Sequence, residues 1–234
     1  EWYDVVAPAN FKPRQFTKTI CNKTQAMRLA STSLMGRVYE GCLADLNEGA
    51  DKDMPFRKVK FAVQDIRGRN LLTQFHGMDL TADRVRSLVQ KWGSLIENVV
   101  EAKTNDGYVM RLFVIAFTRR QKGQLTKNTY AKTRLEKWAR FRMTNMIQKT
   151  FAKLDINQAV TQLTQDVLSD ALFKRCNPIL PLRDVKIRKV KVIRTPKVDI
   201  PALEVAHGEI PESKEAEPRG EAVVAAPVAV AAEQ

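Results

Sequence analysis

The run Val109-Met110-Arg111-Leu112-Phe113-Val114-Ile115-Ala116-Phe117 is apolar but for one arginine. It is too short to span a membrane, and it has the composition of a strand covered on both faces. Asn105-Asp106-Gly107 stands just before it, and an Asp-Gly pair tolerates the positive φ of a tight hairpin turn. Val99–Thr104 and Tyr108–Thr118 are therefore expected to pair as a hairpin at the heart of a sheet.

The rest of the first half reads mainly as further strands. Gln15–Ile20, Gly36–Leu46, Phe56–Gln64 and Leu71–Phe75 carry aromatic and β-branched residues between turn formers such as Asn47-Glu48-Gly49 and Arg67-Gly68-Arg69-Asn70. A helix is expected from Thr81 as N-cap, with Val85, Leu88, Val89, Trp92, Leu95 and Ile96 on one stripe; Gly93 weakens its later turns. Two more helices are expected after residue 129. The first, about Tyr130–Phe151, places Leu135, Trp138, Ala139, Met143, Met146 and Ile147 on its buried side. The second takes Asp155 as N-cap and buries Ile156, Ala159, Val160, Leu163 and Val167.

Positive charge is gathered into two stretches. Arg119, Arg120, Lys122, Lys127, Lys132, Arg134, Lys137, Arg140 and Arg142 stand against the single acid Glu136. Arg183, Lys186, Arg188, Lys189, Lys191, Arg194 and Lys197 stand against Asp184. Such surfaces repel themselves unless a polyanion meets them. Residues 118–128 hold little to bury and many phosphate donors, so a loop reaching into structured RNA is expected, continued by the basic face of the following helix. In the second stretch Val185 and Ile187 alternate with Lys186 and Arg188, then the phase slips at Lys189, as a β-bulge would absorb. A solvated loop and a charged edge strand are the plainer readings of the same residues. The chain's formal charge of +13 understates the body, because Glu209, Glu212, Glu215, Glu217, Glu221 and Glu233 face only Lys214 and Arg219 in the last segment. That Ala/Val/Glu/Pro segment has no period and is expected to be a disordered tail, residues 209–234, beyond a single core domain, residues 1–208.

Catalytic chemistry finds little support. His76 and Asp79 are a close histidine–acid pair, with no nucleophile or second carboxylate marked beside them; a tight turn at His76-Gly77 and a helix-start role for Asp79 are the better reading. No phosphate-binding glycine loop or nucleophile elbow occurs, and no zinc-finger or RNA-recognition-motif pattern. Cys21, Cys42 and Cys176 are far apart without a C-x-x-C and read as small buried hydrophobes; no metal or cofactor is expected. No signal peptide is read at Glu1-Trp2-Tyr3-Asp4, and a cytosolic or nuclear protein without membrane contact is expected.

Several segments carry a resemblance. They are Trp2-Tyr3-Asp4-Val5, Gly36-Arg37-Val38-Tyr39-Glu40, Leu43-Ala44-Asp45-Leu46 and Phe75-His76-Gly77-Met78-Asp79-Leu80-Thr81, the last being highly specific. Asp106-Gly107-Tyr108, Arg111-Leu112-Phe113, Arg188-Lys189-Val190-Lys191 and His207-Gly208-Glu209 continue it. Together they resemble the small-subunit (40S) ribosomal protein family of eukaryotes and archaea called "S three a". The resemblance implies an α+β fold, a β-rich, barrel-like core sheet packed with about three to four helices. It implies a structural, non-enzymatic component on the platform of the small subunit near the mRNA exit. Its expected partners are small-subunit rRNA, neighbouring platform proteins, mRNA near the exit and a multi-subunit initiation factor. The location would be the cytoplasmic ribosome, with nucleolar passage during assembly. A Lys-rich arm would precede Glu1. An RNA-processing enzyme using His76 and Asp79, and an RNA-binding adaptor recruiting a basic partner through the acidic tail, are the alternatives.

Overall fold

A computed structural model describes residues 1–25, 29–47, 55–197 and 200–208. The first half runs β1 (Trp2–Val6), β2 (Gln15–Ile20), α1 (Ala30–Leu34), β3 (Val38–Cys42), β4 (Arg57–Arg67), β5 (Asn70–Leu80) and α2 (Ala82–Leu88). The second runs β6 (Leu95–Lys103), β7 (Val109–Thr118), α3 (Thr133–Phe151), α4 (Ile156–Thr164), α5 (Val167–Cys176), β8 (Leu182–Arg194) and α6 (Ile200–His207). The fold is α+β. The expected tail, residues 209–234, and the expected turn residues Glu48 and Gly49 lie outside the described residues.

The eight strands join in one sheet, ordered β2-β1-β5-β8-β7-β6, with β4 on β5 and β3 on β4. Among the described strands only β1 and β5 pair in parallel. β5 binds the halves together: Asn70–Leu72 pairs with β1, Gly77–Asp79 with β8, and its other edge with β4. The sheet is therefore branched, and no pairing among the described residues joins β6 to β2 or β3 to close a barrel. The hairpin expected around Asp106 forms, with Val99 opposite Phe113 and Gly107 at φ +89°.

β7 is covered on both faces, as its composition requires. Met110, Leu112, Val114 and Ala116 enter the main core with Ala139, Met143, Ile147 and Phe151 of α3, Val160 and Leu163 of α4, and Leu168 and Leu172 of α5. On the opposite face Ile115 and Phe117 meet Leu80, Leu88 and Val85 under α2. Each large side chain so buried contributes about 1.5–3 kcal/mol. The rest of that second face carries a charged ladder, described below.

Two helices are shorter than their patterns suggest, and the described residues hold six rather than three to four. α2 stops at Leu88, Val89 is extended, and Leu95 and Ile96 pair with Phe117 and Ala116 instead of continuing the stripe. Sheet pairing therefore captures residues whose spacing also fits a helix. The helix expected from Asp155 to Val167 is two, because Asp166 takes φ +59° between α4 and α5 and leaves Val167 exposed. That break has a cause. Arg57 is fully buried, and its guanidinium forms an ion pair with Asp166 while donating to the backbone carbonyls of Leu163 and Thr164. Asp166 also accepts from Ser169 Oγ at 2.9 Å. Asp155 sits at the N-cap position of α4, yet its side chain does not cap; the hairpin's Asp106 accepts from Ile156 N at 2.7 Å in its place.

Candidate nucleic-acid interface

Between β7 and α3 the chain forms the expected basic loop, and its base is clamped. Thr129 donates through N and Oγ1 to Trp92 O at 2.8 and 2.9 Å. Thr118 Oγ1 donates to Thr129 O at 2.7 Å and accepts from Ser94 N at 2.9 Å. Ala131 N donates to Ser94 Oγ at 3.0 Å. The segment Trp92–Ser94, expected in a helix, is thus the loop's anchor, with Trp92 at φ +68°. Within the loop Arg120 Nε donates to Gln124 O at 2.9 Å, and Gln124 Nε2 donates to Asn128 O at 2.7 Å. These bonds close the loop on itself and hold Leu125 out at its tip, 94% exposed.

This organisation leaves cations turned outward. Arg119, Lys122, Lys127 and Lys132 are exposed, as are Arg134 and Lys137 on the first turns of α3. Among the described residues none of these six forms an ion pair with a carboxylate. Arg120 closes the loop through its backbone contacts. Arg140 is engaged too: it pairs with Glu136 at 3.3 Å and donates to Glu97 O at 3.1 Å. Together with Gln148, which donates to Glu101 O at 3.4 Å, it covers carbonyls on the edge strand β6. Trp138, expected in the core, is 53% exposed beside Arg134 and Lys137. It is four residues from Arg134 and three from Phe141, which places it on their stripe rather than that of Ala139 and Met143.

The second basic stretch is divided by its strand. Arg183 lies at the loop's end of β8, where Arg119 N donates to Pro181 O at 2.9 Å. Lys186 turns inward to Asp166. Phe113 pairs with Lys189 and Val114 with Ile187, so Arg188 is the extra residue of the expected bulge, and its guanidinium sits 5.9 Å from the centre of the Phe113 ring. Lys189 pairs with Asp79 at 2.9 Å, part of a ladder that continues through Lys60 to Glu40 at 3.0 Å. The Lys60 ammonium beside Glu40 holds that carboxyl below the usual range, against a smaller upward push from burial. Lys191, Arg194 and Lys197 are exposed without an ion pair among the described residues. The two stretches approach each other at the start of β8, beside Pro181 and Leu182; Arg194 is roughly 35 Å further along the strand.

The segment around His76 is not a turn. β5 runs through it to Leu80, and His76 is the unpaired residue of a bulge between Phe75 and Gly77. Gly77 lies against β8 so closely that a Cβ there would stand 2.7 Å from Val190 O. Asp79 belongs to the sheet's ion-pair ladder rather than to the start of α2, and it has no catalytic partner in His76. Cys21 and Cys176 are buried and Cys42 half-buried, all as free thiols. Among the described residues no cluster of side chains could hold a metal, and no helix is long and apolar enough to cross a membrane.

The model of the ribosomal S3Ae family matches residues 1–196. The chain belongs to this family. The chain is 63% identical over 219 residues to small ribosomal subunit protein eS1B of Trypanosoma cruzi (strain CL Brener), covering 94% of this chain and 84% of that protein. It is 46% identical over 209 residues to small ribosomal subunit protein eS1 of Drosophila willistoni, covering 89% and 78% respectively. Membership of the S3Ae family sets the chain among structural proteins, not enzymes. Within this S3Ae fold the sequence had marked the basic loop but not its anchor. Ser94, Thr118 and Thr129 are too ordinary for sequence pattern to single out. Their role comes from the hairpin that brings residues 92–94 beside residues 118 and 129.

Proposed function

We propose that this chain is a structural constituent of the small ribosomal subunit, held on rRNA by the clamped loop 119–132, the start of α3 and the exposed cations of β8. The observation that carries this reading is the outward display of Arg119, Lys122, Lys127, Lys132, Arg134 and Lys137, without carboxylate partners among the described residues, in a chain whose relatives are small-subunit proteins. Cations held outward before binding lose little freedom when they meet phosphate, and the released counterions supply the driving force. Arg183, Lys191, Arg194 and Lys197 extend the contact along the sheet. Arg120, Arg140, Lys186, Arg188 and Lys189, engaged within the chain, shape that surface more than they touch phosphate.

The assignment extends to a site on the platform near the mRNA exit, beside other platform proteins, mRNA and a multi-subunit initiation factor. The core domain, residues 1–208, carries this role in the cytoplasm after nucleolar assembly. The test is charge reversal of Arg119, Lys122 and Lys127 together. The triple variant is expected to keep the melting temperature of the parent protein but to leave small subunits in a high-salt sedimentation gradient. Retention equal to the parent's would overturn the assignment.

A further inference from the structure

Along the second half of α3 lies a groove of about 570 Å³, into which the first basic stretch reaches with Arg142. Phe141 forms one wall, and Met146 and Leu154 supply apolar surface. Arg142, Lys149, Lys153 and Arg175 surround it, and no acid among the described residues lines it. Arg142 Nε is out of reach of water and finds no hydrogen-bond partner among the described residues. At the groove's mouth Phe141 is 63% exposed, and Trp138 is its exposed neighbour one turn back.

Duplex RNA offers side chains phosphates and a shallow groove, and gives two exposed rings nothing to stack on. An unpaired strand offers both parts of what is displayed: phosphates for a line of cations, and base faces for aromatic rings. A neighbouring protein would meet the rings but would have to bring several carboxylates to face the cations. We infer that α3 is a track for an unpaired segment of rRNA, with bases stacked on Trp138 and Phe141 and phosphates led by Arg142 and Lys149 toward Lys153 and Arg175. The inference rests on the rRNA-binding reading above and adds the state of the RNA it takes.

The test compares binding of the full chain to a short single-stranded oligouridylate and to an A-form RNA duplex. Trp138→Leu with Phe141→Leu is expected to weaken oligouridylate binding by roughly tenfold or more while leaving duplex affinity unchanged. Both positions are exposed, so the melting temperature should hold. Oligouridylate binding at the parent's affinity would overturn the track and give the rings to a protein neighbour, as would equal losses for strand and duplex. A folded parent protein that binds neither RNA sinks the underlying rRNA reading instead. In small subunits free of mRNA, the double variant should expose rRNA bases to chemical modification; unchanged reactivity there removes rRNA as the occupant.

Discussion

Lys186 Nζ lies 3.1 Å from Asp166 Oδ2, so a cation of the second basic stretch is bonded to a carboxylate that also holds the buried guanidinium of Arg57. Asp166 therefore joins β4, β8 and the α4–α5 junction beyond the point where β5–β8 pairing ends at Asp79 and Lys189. Burial alone would raise the Asp166 pKa, but Arg57 and Lys186 outweigh it and hold the carboxyl below its usual value. Removing the carboxylate strands Arg57 without its charge partner. Asp166→Ala is expected to cost about 3–5 kcal/mol in urea denaturation. A loss under about 1 kcal/mol would show that Arg57 finds another partner.

Lys186 and Lys191 should behave oppositely although they are five residues apart on one strand. Lys186→Ala is expected to lower stability with little effect on RNA binding. Lys191→Ala, at an exposed position, should change stability by less than about 0.5 kcal/mol. If Lys191 meets phosphate, it should also lower the magnitude of the salt slope of log K by somewhat under 1. Paired melts and salt titrations on the two variants check this.

Gly77 is held by the backbone of a neighbouring strand. A Cβ at that position would meet Val190 O at 2.7 Å, and a carbonyl in a ladder cannot swing aside as a side chain can. Gly77→Ala is therefore expected to destabilise the fold by about 2 kcal/mol or more, read by thermal or urea unfolding. A variant as stable as the parent would show that β5 and β8 can separate locally.

These contrasts mark how far sequence carries. The hairpin around Asp106, the clothed strand β7 and the bulge in β8 were legible because turn chemistry and period two act between near neighbours. The glycine at position 77 was visible, but sequence could not distinguish a turn from a close strand approach. Among the cations of the two basic stretches, the pattern could not separate Lys186 from Lys191. That difference depends on Asp166, which the fold brings from another element. Trp138 is three residues from Leu135, which fits the buried stripe of α3, but it is equally three from Phe141 and four from Arg134, and the packed helix turns it to their side.

The loop clamp predicts a change in protection. Thr129→Val removes the hydroxyl that donates to Trp92 O while keeping the backbone bond. The loop base should loosen, so trypsin should cleave after Arg119, Lys122 or Lys127 several times faster. Global stability should fall by only about 0.5–1.5 kcal/mol. Unchanged cleavage would mean that the backbone bond alone holds the loop.

His207 gives the fold a dependence on pH. Its ring is buried against β5, where Nε2 donates to Thr73 O at 2.7 Å and Nδ1 has no hydrogen-bond partner among the described residues. Burial pushes the pKa below the ordinary histidine value, against the carbonyl bond, and the charges of Arg14 and Arg67 push the same way. The unfolded chain therefore takes up a proton near pH 6.5, before the folded protein does. Stability is full above that pH and falls as pH drops through the window between the unfolded and folded values. His207→Gln can still donate to Thr73 O and cannot titrate, so its stability should lose this part of the slope. Urea midpoints for both proteins between pH 7.5 and about 5 decide the matter: parallel curves would show that His207 carries no part of the acid sensitivity.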